Sequence, residues 1–99
     1  MAILITAATS AGAYQLKNKL AGYDIILGDH LELPEFMIKT GKMITLPKPA
    51  SASYTHEMLT LCLDKNIDTV YLLRPDETGL LLKAETLFNE YNITLQVVA

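Results

Sequence analysis

This sequence predicts an α/β fold of three layers: a Rossmann-like, mainly parallel five-stranded sheet in the order 3-2-1-4-5 with about three helices. Three observations point to it. Short apolar runs recur along the chain, and the run over 69–73 shows no alternation, as a strand buried on both faces should. Stretches with apolar residues three and four apart separate these runs. A series of small residues, Thr6-Ala7-Ala8-Thr9-Ser10-Ala11-Gly12, follows the first run, where a strand of such a fold turns sharply into its helix.

Residues 2–6 are the first strand. A helix over about 11–21 follows, with Ala13, Leu16 and Leu20 on one face and Lys17 and Lys19 elsewhere. Thr9 or Ser10 can cap it, because either hydroxyl accepts a bond from a free first-turn amide. Gly22 stops it. Residues 23–28 are the second strand, with Asp29 and His30 just past its end. The stretch 31–41 is the least regular part of the chain, and 42–46 is a weak third strand. Pro47 and Pro49 make 47–53 a loop, since proline lacks a donor and restricts the residue before it.

A second helix over about 53–65 places Leu59, Cys62 and Leu63 on one stripe beside Tyr54 and Met58, and Asn66 ends it. The fourth strand, 69–73, is broken by Arg74-Pro75-Asp76-Glu77. A third helix over about 76–91 turns Leu80, Leu81, Ala84, Leu87 and Phe88 inward. Asp76 and Glu77 in its first turn suit the positive helix end. Residues 93–98 are the fifth strand. Right-handed crossovers then place the switch point of the sheet between the first and fourth strands.

Composition narrows the function. The chain has 99 residues, one domain's worth, and nothing marks a second, so 1–99 is expected to be a single unit. Eight basic residues against eleven acidic ones give a net charge of −3. A nucleic-acid partner is not expected, because phosphate neutralisation needs a basic surface. Lys39, Lys42 and Lys48 read as solvated charge. No apolar run approaches the roughly 20 residues of a membrane span, so no membrane partner is expected. Met1 leads straight into the first strand without a leader peptide, and the expected location is cytoplasmic. Cys62 is the only cysteine, which rules out an intrachain disulfide; on an apolar stripe it reads as packing.

Few residues carry chemistry. A dinucleotide glycine frame laid on the first turn would fall on Ala7, Ser10 and Ala13, none of them glycine, so NAD or NADP is not expected and no cofactor is assigned. The first-turn amides with Thr9 and Ser10 could still hold an anion, or the hydroxyls could be ordinary caps. Asp29 stands where an acidic residue can bond a ribose. His30 beside it reads as a solvated loop histidine. Arg74, the only arginine, could bind a carboxylate or phosphate, or pair with Asp29, Asp76 or Glu77. Any small ligand, an anionic one first, is therefore expected near Thr9, Ser10, Asp29 and Arg74. No catalytic triad, P-loop or zinc set can be assembled from the spacing, and no residue is named as catalytic or metal-binding.

Several segments together resemble a known family. They are Ile3-Leu4-Ile5-Thr6-Ala7-Ala8, Tyr23-Asp24-Ile25-Ile26-Leu27-Gly28-Asp29, Lys65-Asn66-Ile67-Asp68-Thr69-Val70, Asp76-Glu77 and Leu87-Phe88-Asn89-Glu90-Tyr91-Asn92-Ile93. Over nearly its whole length the chain resembles the N-terminal, pre-ATP-grasp domain of carbamoyl-phosphate synthase large subunits and related ATP-grasp ligases. The resemblance implies a non-catalytic scaffold that packs on an ATP-grasp core and shapes the substrate side of its site. It implies that ATP and magnesium are held by that core, so the isolated chain is not expected to turn over ATP. The expected partner is such a core or a second copy of the chain. The other readings open at this stage are a free-standing small-ligand or nucleotide-binding module and a degenerate NAD-dependent epimerase- or dehydrogenase-like domain.

Overall fold

A computed structural model describes residues 2–20, 22–41 and 43–98. The sheet is built around β1 (Ala2–Ile5), whose residues are all buried. β2 (Asp24–Asp29) and β3 (Met43–Thr45) lie on one side of it, and β4 (Ile67–Leu72) and β5 (Thr94–Val97) on the other, giving the order β3-β2-β1-β4-β5. Every ladder is parallel. The expected α/β architecture and strand order are thus present.

Among the described residues five helices connect the strands: α1 (Ala11–Lys19), α2 (Glu35–Lys39), α3 (Tyr54–Asp64), α4 (Pro75–Leu82) and α5 (Glu85–Glu90). Side-chain alternation along β1 divides the core. Ala2 and Leu4 pack with Met58, Leu59 and Cys62 of α3, Leu81 of α4 and Phe88 of α5. Ile3 and Ile5 face the other way, toward Ala13 and Leu16 of α1 and Met37 of α2. This two-faced burial is what right-handed crossovers from a central strand produce.

The helix count exceeds the sequence expectation for two reasons. The single helix expected over 76–91 divides at Lys83 and Ala84. The Ala84 amide donates to the Leu81 carbonyl at 3.0 Å, a three-residue tightening, and Ala84 leaves helical geometry at φ −110°. Leu81 and Phe88 keep both halves on the core, whereas Leu80 is 37% exposed rather than inward-facing. In the irregular stretch, Pro34 starts the short α2, its carbonyl accepting from Met37 and Ile38. Five residues with none buried leave almost no periodicity to read.

Other adjustments are smaller. Leu63 is 46% exposed, off the stripe expected for it; Tyr54, Met58, Leu59 and Cys62 are the buried residues of α3, with Leu61 half-buried beside them. β4 begins at Ile67 because Asn66, at φ 55°, turns the chain directly out of α3. Lys39 and Lys48 are exposed as expected, Lys39 pairing with Glu35 one turn away at 3.1 Å; Lys42 lies outside the described residues. Among the described residues no helix is long and apolar enough to cross a membrane.

Candidate functional site

The carboxyl ends of β1, β2 and β4 bring the sequence-named residues to one place. β1 lies between the other two, so a side chain from the end of β2 meets one from beyond β4 only by reaching over β1. Two backbone features shape that roof. Thr6 is fully buried, and its hydroxyl accepts the Leu73 amide at 3.0 Å, tying β1 to the end of β4. Ala7 sits at φ 55°, and the next amide, that of Ala8, donates to the Gly28 carbonyl at 3.1 Å. The left-handed residue is what folds the chain back toward α1. Ser10 then caps α1, its hydroxyl accepting the Ala13 amide at 3.2 Å.

Under this roof Arg74 forms a two-pronged pair with Asp29. Nε donates to Oδ1 at 3.1 Å and Nη2 donates to Oδ2 at 2.7 Å. Asp29 also accepts the Thr9 hydroxyl and the Leu31 amide, each at 3.3 Å. Its side chain has no exposure, while that of Arg74 is 25% exposed. Burial pushes the Asp29 carboxyl up. The Arg74 hydrogen bonds, the Leu31 amide, the Arg74 charge and the Thr9 hydroxyl outweigh it and hold the group below the usual carboxylate value. Asp29 in turn raises the guanidinium, first through its hydrogen bonds and, against burial, through its charge. Of the partners open to Arg74 from the sequence, Asp29 takes both prongs.

A second buried group adjoins the pair. His30 is not a solvated loop histidine: its side chain is 15% exposed, and Nδ1 lies 3.6 Å from Asp29 Oδ1 and 3.6 Å from Glu77 Oε1. Glu77 is fully buried, and among the described residues neither of its oxygens has a hydrogen-bond partner. Burial raises its carboxyl above the usual value and nearby Asp76 adds to this; Thr6, His30 and Arg74 oppose without prevailing. Thr6 acts here from a position that makes no well-formed hydrogen bond to either oxygen. Tyr54, at the start of α3, has a buried and equally unpartnered hydroxyl; burial, then the charges of Glu77 and Asp76, push its ionisation far up.

The sequence missed Glu77 because a glutamate in a first turn normally meets water. One signal was present: Glu77 precedes Leu81 by one helical turn and therefore shares its inward stripe. Thr6 and Tyr54 carried no comparable signal of a polar role.

Beside the pair opens a cleft of about 380 Å³, lined by Ala7, Ser10, Gly12, Leu73, Arg74, Pro75 and Val98. It lies at the junction of β1 and β4, where open α/β sheets hold ligands. Ser10 and Arg74 line it; Thr9 and Asp29 do not, being joined to the far side of the guanidinium. Another concavity of about 390 Å³, on the outside of α3, is lined by His56, Glu57, Thr60, Leu61 and Asp64 and contains none of these residues. Among the described residues no three His, Cys, Asp or Glu side chains gather closely enough to hold a metal ion.

Fold and site together define a Rossmann-like α/β domain whose switch point is closed by its own ion pair. In comparisons with known proteins, no family model and no curated protein matches the chain.

Proposed function

We propose that this chain serves as a non-catalytic scaffold domain of an ATP-grasp-type ligase, of the kind its sequence resembles in carbamoyl-phosphate synthase large subunits. Nucleotide chemistry belongs to a separate core on which the domain packs. The observation that carries this reading is the self-satisfied switch point. Arg74, Thr9 and the Leu31 amide are all directed onto Asp29, and Ser10 is engaged as a cap. A catalytic site presents a base or nucleophile to substrate; these groups face one another instead.

The sheet edge suits docking. β5 (Thr94-Leu95-Gln96-Val97) carries no charge and no proline, and Val97 is 52% exposed. Sheets ordinarily blunt a free edge with lysine, proline or a covering element. An unguarded edge favours packing against a core domain or, failing that, a second copy of the chain. A cytoplasmic location accords with that role.

A second reading rests on the cleft. Arg74 uses Nε and Nη2 on Asp29, which leaves Nη1 for a carboxylate or phosphate entering beside Ser10. The two readings separate in a chemical-shift titration of the isolated chain with ATP, NADH, inorganic phosphate and small carboxylates. The scaffold reading expects no saturable cluster of shifts at Ala7, Ser10 and Arg74. Saturable shifts there, lost in Arg74→Ala, would replace it with a small-anion-binding module.

A further inference from the structure

The buried group beside the switch point is one positive charge short. Asp29 and Glu77 are both fully buried, and Asp76 stands next to Glu77 in the first turn of α4. The one guanidinium at hand is committed by two bonds to Asp29. Against this deficit, a single nitrogen, His30 Nδ1, faces a carboxylate oxygen on either side at 3.6 Å. That nitrogen and both Glu77 oxygens are buried without a hydrogen-bond partner among the described residues. Buried polar atoms are almost always partnered, so three orphans facing one another mark a missing donor hydrogen.

We infer that His30 and Glu77 hold one proton between them at neutral pH, and that this proton latches the segment after β2 onto the first turn of α4. Charge counting supports it. With the proton on His30, two cations balance the carboxylates of Asp29 and Glu77. With the proton on Glu77, Arg74 balances Asp29 alone. Either arrangement is neutral, whereas release of the proton to solvent leaves a net negative charge on two carboxylates that have no exposure of their own. The groups facing the proton are Asp29 and His30 at the end of β2, Thr6 after β1, Tyr54 on α3, and Arg74, Asp76 and Glu77 at the start of α4. Tyr54 does not compete, since burial and the neighbouring carboxylates keep its phenol protonated. Burial of Glu77 acts in the same direction, favouring its protonated form.

The latch holds a segment with few other anchors. After His30 the chain is fixed by the Leu31 amide on Asp29, by the buried Leu33 and by the half-buried Met37 of α2, which has no fully buried residue. Leu31, Phe36 and Ile38 are exposed there, Phe36 by 70%. Loss of the proton is therefore expected to loosen residues 30–39 while the sheet stays intact, making that apolar segment movable at alkaline pH. This inference is independent of whether the domain docks on a core or binds an anion.

The test follows the whole chain by NMR from about pH 5 to about pH 9, the range over which a histidine-linked proton is read. The probes are the His30 ring, the Glu77 carboxyl carbon and amide exchange of residues 31–39 corrected for intrinsic base catalysis. The expected result is one transition common to the ring and the carboxyl carbon, with a protection loss of about tenfold in 31–39, equivalent to one pKa unit of coupling. Glu77→Gln, nearly isosteric, is expected to abolish the pH dependence of exchange; His30→Gln provides a second variant with the same expectation. A Glu77 carboxyl that titrates in the ordinary acidic range independently of the His30 ring would overturn the inference. So would protection of 31–39 that does not change through the transition.

Discussion

Removing Arg74 is the sharpest perturbation of the switch point. Arg74→Ala deletes two of the four hydrogen bonds that Asp29 accepts and leaves a carboxylate with no solvent exposure held by two 3.3 Å bonds. Breaking a buried pair from one side costs roughly 3–5 kcal/mol, because the remaining charge is uncompensated. The 25% exposure of Arg74 lets water into the vacated space and places the cost at the lower end, about 3 kcal/mol. With an unfolding entropy of about 2.1 cal/mol/K per residue, 99 residues give about 0.2 kcal/mol/K, so Tm should fall by about 15 °C at neutral pH.

The pH dependence has a definite sign. Because Asp29 is held below its ordinary value, the stabilisation it provides is complete above about pH 4 and is lost as pH falls through the folded-state value. In the variant the carboxyl is buried without its cation, and protonation relieves the penalty. The gap between wild type and Arg74→Ala should therefore narrow in acid. Thermal and urea melts followed by circular dichroism at pH 7 and in acid measure this. A companion pair, Arg74→Met with Asp29→Leu, should recover most of the loss, since replacing both partners by apolar groups leaves no orphan charge. A variant within about 0.5 kcal/mol of wild type at both pH values, the scatter of ordinary surface substitutions, would refute the reasoning.

Other outcomes follow from local geometry. A Cβ on Gly28 would come within 2.8 Å of Leu46 Cγ and Cδ2 and 3.2 Å of Leu4 Cδ1, so Gly28→Ala should cost about 1–3 kcal/mol; adding Leu46→Ala should restore part of it, and urea melts of the single and double variants decide. Ala7 holds a left-handed φ of 55°, which costs a side chain about 1–2 kcal/mol, so Ala7→Gly should be neutral or modestly stabilising in the same melts. A loss of stability there would show that the turn does not carry that strain. Burial pushes the Cys62 thiol up to about 12 and leaves it with no exposure. Its labelling by a disulfide reagent should then track unfolding across a urea series, and full labelling in native buffer would contradict this.

Much of the architecture was legible because the strands at the centre of the sheet are apolar runs whose signal survives tertiary context, whereas the three-residue β3 was only weakly marked. The unalternating apolar run through Val70 and Leu72 reads as a strand buried on both faces; the structure seals Val70 and Leu72 and leaves Thr69 and Tyr71 half-buried on the other face, while the small residues between Thr6 and Gly12 form the strand-to-helix turn they suggest. What eluded sequence reasoning is local. The break at Ala84 leaves the apolar stripe unbroken, since Leu81 and Phe88 are two turns apart on either side of it. α2 is too short to show a period. At the site, strand order and the ends of β2 and β4 placed Asp29 and Arg74 together, but not which of the available carboxylates Arg74 would choose. That choice depends on the end of β2 standing level with the end of β4 across the intervening β1, a register the sequence does not print. Glu77 was hidden because charge is a stronger expectation of exposure than its position one turn before Leu81 is of burial.

The central proposal, a scaffold that leaves ATP chemistry to a partner, is tested most directly by ADP formation. The chain is assayed alone and together with a separately purified ATP-grasp core. The expected result is no ADP from the purified chain alone and a core turnover that falls when the chain is omitted. ADP released by the chain alone and abolished by Arg74→Ala, or a core indifferent to its presence, would contradict the account.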